Sequence, residues 1–167
     1  METATTAPTP ARSPALDGTA LAAWSTFLRA HAGITRRLSA DLLSEHGLTL
    51  NDYEVLLHLA HAPERRMRRV DLADRLVLTP SGITRLLDGL QRAGYVDKAA
   101  CASDGRVAYA VLTDPGYAKL RAAAKTHVAG IRELFVDRFS DEELDVLASL
   151  LARLPSLQAD TESCEPA

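Results

Sequence analysis

Hydroxyl and charged side chains recur along one predicted helix at a spacing that places them on a single face. Ser81, Arg85, Asp88 and Arg92 fall within one stripe, and Thr84 lies at its edge. Hydroxyls near a helix N-terminus suit phosphates or base edges, and the Arg85 guanidinium suits a bidentate contact with guanine. These residue types indicate noncovalent recognition of DNA in the major groove, with an ordinary solvated helix surface as the alternative.

A short helix over 69–76 and a tight turn precede this helix and must position it. Thr79 caps the helix, and Pro80 suits its first helical position because no backbone donor is needed there. Gly94 ends it. We expect Arg69, Thr79 and Pro80 to join the hydroxyl and arginine side chains of the stripe in contacting DNA.

Two β-rich runs, 95–100 and 106–113, follow the helix and flank a polar tip. Arg106 at this tip suits a narrow minor groove, whose negative potential attracts a guanidinium. Asp104 suits the turn itself. A helix-turn-helix followed by such a hairpin, or wing, offers polar and cationic groups to two adjacent grooves of DNA.

Charge is distributed unevenly along the chain, and this favours a nucleic-acid partner more than the total does. The formal net charge is −3 over 167 residues. Residues 64–106 carry nine Lys and Arg against six Asp and Glu, a local charge of +3, which leaves −6 for the remainder. Taken alone, the arginine-rich run 65–69 is explained equally well as a solvated loop.

Length and composition favour one domain over residues 16–159, located in the cytoplasm. Residues 1–15 are mostly Ala, Thr, Pro and Ser, which predicts a disordered arm, and residues 160–167 predict a flexible acidic tail. No apolar run reaches the roughly 18 residues that span a bilayer, and the N-terminus lacks a signal-peptide core. Cys101 and Cys164 are too few for a disulfide scaffold.

Helical periodicity places two helices before the helix-turn-helix. The first covers residues 19–46 and is stopped by Gly47. The second is opened by Thr49 and Asp52, which resemble a capping box, and ends near Pro63.

Two more helices are predicted after the wing. Asp114 begins a helix that should continue to about Arg138, and Ser140 with Glu143 forms a capping box for a last helix that reaches Leu154. The first helix and the last two exceed what a winged domain of about 75 residues needs for its core, so they are expected to pair with a partner chain.

The chain resembles the MarR family of transcriptional regulators over residues 21–154. The resemblance rests on LTLNDYEVLLHLA, on RVDLADRLVLTPSGITRLLDGLQRAGYV, and on a wing signature of Asp104, Arg106, Leu112 and Thr113. It implies a mainly α (α+β) fold. In this fold a winged helix-turn-helix at about 49–116 lies between dimerisation helices at about 19–46 and 115–156. It also implies a homodimeric repressor that binds a pseudo-palindromic double-stranded DNA operator, with Asp104 as a strut to an arginine.

Family resemblance further implies a small-molecule effector, for which we expect an aromatic or phenolic compound. Such ligands bind between the first, second and fifth helices. The polar or aromatic residues expected there are Trp24, His31, Arg36, Tyr53, His58 and His127. Most of them are better explained as packing or surface residues than as ligand contacts, and Trp24 suits a dimer core.

No catalytic arrangement, cofactor-binding motif or metal site is predicted. His58 and His61 are three residues apart but have no carboxylate or thiolate ligands nearby in the sequence. The family's redox sensors carry a cysteine in the first helix, which this chain lacks, and Cys101 in the wing is not expected to take that role. The competing hypothesis is a winged-helix module for dimerisation or protein interaction without DNA binding.

Overall fold

A computed structural model describes residues 16–100 and 108–155. The predicted arm and tail lie outside the described residues, as do Cys101, Asp104 and Arg106 of the wing. The chain divides into two compact units, Met1–Gly33 and Ile34–Ala167, which are described separately.

Six α-helices and three β-strands make up the described residues. In chain order they are α1 (Gly18–His46), α2 (Leu50–His61), β1 (Arg66–Arg68), α3 (Arg69–Arg75), α4 (Pro80–Arg92), β2 (Val96–Ala100), β3 (Ala108–Leu112), α5 (Asp114–Leu134) and α6 (Asp141–Leu151). This order confirms the predicted fold class, a mainly helical winged helix-turn-helix. No helix of the described residues is long and apolar enough to cross a membrane.

Local hydrogen bonds place the first two helices where their sequences predict. Gly47 ends α1 with a φ of +64°, a left-handed conformation that a glycine adopts without steric cost. Thr49 Oγ1 accepts from the Asp52 amide at 3.1 Å, and the Thr49 amide donates to Asp52 Oδ2 at 2.8 Å. The capping box at the start of α2 is therefore confirmed, with aspartate in the place of glutamate.

Both C-terminal helices end earlier than predicted. At φ −131° and ψ −62°, Phe135 leaves the helical region, so α5 stops at Leu134 and a separate 3₁₀ turn follows over Val136–Arg138. The Phe135 and Phe139 rings lie 5.5 Å apart around this turn.

The predicted capping box of α6 is confirmed, but the predicted end at Leu154 is wrong. Ser140 and Glu143 exchange the two expected hydrogen bonds. After Leu151 the chain tightens, and the Leu154 amide bonds to Leu151 O, three residues back. Pro155 favours this ending because proline restricts the residue before it to extended conformations.

A third strand, β1, was not predicted. Part of the arginine-rich run, Arg66–Arg68, pairs antiparallel with β3, in register Arg66↔Val111 to Arg68↔Tyr109. The sheet order is β1-β3-β2. Three residues are too few to show an alternating pattern, so the partner strand rather than the local sequence defines this element.

One apolar core lies within Ile34–Ala167. Helix α2 contributes Tyr53, Leu56 and Leu59, each no more than 3% exposed. Buried side chains from α1, α3, α4, β2, β3 and α5 pack around α2. They include Leu42, Leu72, Ile83, Leu87, Leu90, Val96, Leu112 and Leu120. The core therefore determines which face of α4 is turned towards solvent.

Candidate nucleic-acid interface

The turn between α3 and α4 is tight and strained. Val77 has a φ of +53°, which a β-branched residue rarely adopts, and its side chain is 72% exposed. The Leu78 amide donates to Ala73 O at 2.8 Å, which closes the turn. A glycine would adopt this backbone conformation at a lower conformational energy than valine. The local sequence therefore does not favour the turn, and we attribute it to the packing of α3 against α4.

Helix α4 begins as predicted. Thr79 Oγ1 accepts from the Gly82 amide at 3.1 Å, and Pro80 occupies the first helical position. The N-terminal amides of α4 are therefore ordered by a side-chain cap in the protein alone.

The two faces of α4 differ as the sequence pattern predicts. Ile83, Leu87 and Leu90 are at most 3% exposed. On the opposite side Ser81, Arg85 and Arg92 are exposed. The guanidinium of Arg92 is held along the helix by a 3.2 Å hydrogen bond from Nε to Asp88 O.

Thr84 and Arg69 contact each other. Arg69 Nη2 donates to Thr84 Oγ1 at 2.8 Å, and Thr84 Oγ1 donates to Pro80 O at 2.7 Å. Both residues are half-buried. Their contact with DNA stays a prediction, and in this structure Thr84 connects the start of α3 to the first turn of α4.

An ion pair that the sequence analysis did not predict joins α4 to β2. Lys98 Nζ donates to Asp88 Oδ1 at 2.6 Å, with both side chains less than half exposed. The hydrogen bond from Lys98 lowers the pKa of Asp88 below its ordinary value. The positive charges of Lys98, Arg69 and Arg92 lower this pKa further. The only sequence signal was an acidic residue within an otherwise cationic and hydroxyl stripe.

Three of the four arginines in the run 65–69, which includes β1, pair with acidic side chains. Arg65 Nη1 lies 3.1 Å from Asp114 Oδ1, and its guanidinium lies 4.3 Å from the ring centre of Tyr117. Arg66 pairs with Glu64 at 3.1 Å. The Arg65 contacts attach the run to the start of α5, and the ion pairs offset part of its positive charge.

The base of the wing is well defined. Strands β2 and β3 pair from Val96↔Leu112 outward, and Thr113 Oγ1 donates to Gly94 O at 2.7 Å. Asp104 and Arg106 lie outside the described residues, so their predicted roles as a strut and a minor-groove contact stay predictions.

Trp24 and His31, two of the predicted effector-binding residues, lie in the N-terminal unit. The Phe27 ring lies between them along α1, with ring centres 6.2 Å from Trp24 and 6.4 Å from His31. Trp24 is 54% exposed. Along this part of α1 the structure therefore shows a row of aromatic side chains on the helix surface.

In the second unit, the structure brings Tyr53 and His127 together. Their ring centres lie 4.4 Å apart at an interplanar angle of 42°. Burial raises the pKa of the Tyr53 phenol and lowers the pKa of His127. His127 Nδ1 is buried without a hydrogen-bond partner among the described residues. The two rings therefore form a neutral aromatic pair at the contact of α2 and α5.

The other two candidates in this unit are placed differently. Arg36 is exposed on α1. His58 is half-buried on α2, where burial first, then the charges of Arg75 and His61, lowers its pKa. The described residues contain no group of three or more His, Cys, Asp or Glu that could hold a metal ion.

A short helix, a tight turn, a capped helix with a polar outer face and an antiparallel hairpin together define a winged helix-turn-helix protein. Residues 46–107 match the sequence model described as MarR family. AbsC, a MarR family transcriptional regulator from Streptomyces coelicolor, is 35% identical with a TM-score of 0.77, over 83% of this chain and 93% of AbsC. The chain therefore belongs to the MarR family of transcriptional regulators, which are not enzymes.

Two further relatives are similar over much of the chain. Sco3205, a MarR family transcriptional regulator from Streptomyces coelicolor solved in complex with DNA, is 29% identical with a TM-score of 0.79, over 84% of this chain and 88% of Sco3205. The transcriptional repressor YetL of Bacillus subtilis is 33% identical over 108 residues, which span 65% of this chain and 64% of YetL.

Proposed function

We propose that this protein binds double-stranded DNA sequence-specifically, as a homodimer on a pseudo-palindromic operator, and represses transcription in the cytoplasm. The observation that carries the proposal is the outer face of α4. The buried Ile83 and Leu87 fix the rotation of the helix, so that Ser81 and Arg85 face solvent at its capped N-terminal half. This is the part of a recognition helix that contacts base edges in the major groove.

DNA binding by Sco3205 supports this assignment, because its fold covers most of the present chain. Arg85 is the candidate for reading guanine, and Arg92 for a phosphate further along the groove. Arg69, Thr84 and Arg106 complete the proposed contact set, with Thr79 and Pro80 at the N-terminus of the helix.

The dimer is supported by uncovered apolar faces at both ends of the chain. On α6, Val146 is 60% exposed and Leu150 48%, beside a groove of about 370 Å³ that includes Phe139 and Leu147. In the N-terminal unit, Leu21 is 53% exposed. Apolar faces of this extent are unfavourable in water, so we expect a second copy of the chain to cover them. The resulting dimer has two DNA-binding domains, one for each half-site of an operator.

An effector site at α2 and α5 is the regulatory part of the proposal. Tyr53 and His127 pack against each other here, and the buried His127 Nδ1, which has no hydrogen-bond partner among the described residues, is the polar group that a ligand entering between α2 and α5 would meet. A small aromatic or phenolic compound matches both features. Titration of the DNA complex with benzoate and phenol derivatives should identify compounds that release the protein and that lose this effect in Tyr53→Ala.

Selection of DNA fragments from a random pool tests the function directly. We expect one enriched pseudo-palindrome, bound with an affinity that falls as salt rises, with a log–log slope of roughly −0.9 per neutralised phosphate. Fragments without a shared sequence, or an affinity that does not depend on salt, would favour the alternative of a winged-helix dimerisation module. Transcription from the selected operator in a reporter then separates repression from activation.

A further inference from the structure

Asp88 lies where a DNA-binding surface has least use for a carboxylate. It is one turn from Arg85 and one turn from Arg92 on the outer face of α4. A negative charge at this place repels the phosphates of DNA. By charge alone, its removal should strengthen binding.

The surroundings of Asp88 give the carboxylate a different role. Lys98 of β2 bonds to it directly at 2.6 Å, and the charges of Arg69 on α3 and Arg92 on α4 act on the same carboxylate. Arg69 is also held by Thr84, one turn before Asp88 on the same helix. The direct partner of the Asp88 carboxylate is thus Lys98, and two arginines add favourable charge from α3 and α4.

Lys98 lies on the same face of β2 as the buried Val96. Strand β2 begins with buried Val96, opposite Leu112, and Lys98 lies two residues further out, opposite Ala110. Because Ala110 is itself buried, the ion pair joins β2 to α4 at the edge of the core. An ammonium has three donors, so Lys98 can keep its bond to Asp88 and still donate to a phosphate.

We infer that Asp88 is a positioning residue for DNA binding, which holds Lys98 in the arrangement that meets the phosphate backbone. The inference rests on the proposed DNA-binding function. The carboxylate then favours binding despite its charge, because it orders the flexible Lys98 side chain before DNA arrives.

The test is the affinity of Asp88→Asn for the selected operator, because charge and positioning predict opposite signs. Positioning predicts binding about two- to tenfold weaker than wild type, from the ordering of side chains that the variant loses. Asp97→Asn is the matched control, since it removes the same charge from a neighbouring strand position whose side chain extends from the other face of β2. It should bind as tightly as wild type or slightly more tightly.

Lys98→Met completes a double-mutant cycle. In the Lys98→Met background, Asp88 has lost its bonded partner and only its charge remains, so Asp88→Asn should strengthen binding there. This reversal of sign is not expected if Asp88 only supports the fold, and thermal unfolding of each variant provides the comparison.

Tighter or unchanged binding by Asp88→Asn in the wild-type background overturns the inference and makes Asp88 a purely repulsive or neutral charge. Equal weakening in both backgrounds also overturns it. Failure of the proposed function is distinguishable from either result, because wild-type protein would then select no operator.

Discussion

At the scale of single residues, α4 separates side chains that are free to read DNA from those already engaged within the protein. Arg85 is exposed on α4, whereas Thr84 beside it is bonded to Pro80 O and Arg69. A neighbouring pair of polar residues thus has two roles, one directed outward and one directed at the fold.

Replacing Arg85 by alanine should therefore affect DNA binding without affecting stability. We expect Arg85→Ala to cost roughly 1–3 kcal/mol on the operator if the guanidinium reads a base bidentately. The loss on unrelated DNA should be much smaller. Titrations on operator and scrambled duplexes at one salt concentration measure both, and an equal loss on the two duplexes would make Arg85 a phosphate contact instead.

The Tyr53–His127 pair predicts a dependence of stability on pH. Because burial lowers the pKa of folded His127, the unfolded chain takes up the proton more readily. The contribution of neutral His127 to the free energy of unfolding is therefore complete above the unfolded pKa of about 6.5. It is lost as the pH falls from there through the pKa of the folded state. His58 shifts in the same direction and adds to the loss.

Urea unfolding between neutral and mildly acidic pH measures this effect. His127→Gln should flatten the fall in unfolding free energy with acidification, since the side chain no longer titrates. Tyr53→Phe is the control, because the raised pKa of the phenol keeps it neutral throughout this range. A wild-type stability that does not change on acidification would show that the His127 ring is solvated in solution.

At the scale of elements, two glycines in helices differ in whether the structure leaves space for a side chain. A Cβ added at Gly116, at the start of α5, would overlap the backbone oxygen of Tyr95. A Cβ added at Gly89 of α4 would meet nothing within 4 Å. The close approach at Gly116 joins α5 to the segment that begins the wing, whereas Gly89 only lowers helix propensity.

Alanine at these two positions should change stability in opposite directions. Gly116→Ala should lower the free energy of unfolding by about 2 kcal/mol or more, because a backbone atom cannot move aside cheaply. Gly89→Ala should raise it by about 0.5–1 kcal/mol through better helix propensity. Chemical denaturation of both variants checks the pair, and a mild effect at Gly116 would mean that α5 can shift away from Tyr95.

At the scale of the whole molecule, the uncovered apolar surface of α6 predicts the oligomeric state. Sedimentation at micromolar concentration should give about twice the chain mass of 18.0 kDa. Leu150→Glu should weaken the dimer by about 3 kcal/mol or more, since it buries an unpaired charge. Ala148→Glu, on the opposite side of the helix, should leave the dimer intact, and a monomeric wild type would contradict the proposed pairing.

Features of this protein that depend on a few neighbouring residues were readable in the sequence. The caps at Thr49, Thr79 and Ser140 each join residues three apart, so the local pattern contains both partners. The division of α4 into a buried and a polar face follows from helical periodicity in the same way. The family motifs span these same elements, which is why the fold class and the recognition helix were predicted together.

Features that depend on residues far apart were decided only by the tertiary structure. Arg69 meets Thr84 fifteen residues away, and Lys98 meets Asp88 ten residues away. Strand β1 exists because β3, more than 40 residues later, pairs with it. No local propensity contains such contacts, because the hydrogen bonds and packing that determine them form only when the elements are assembled.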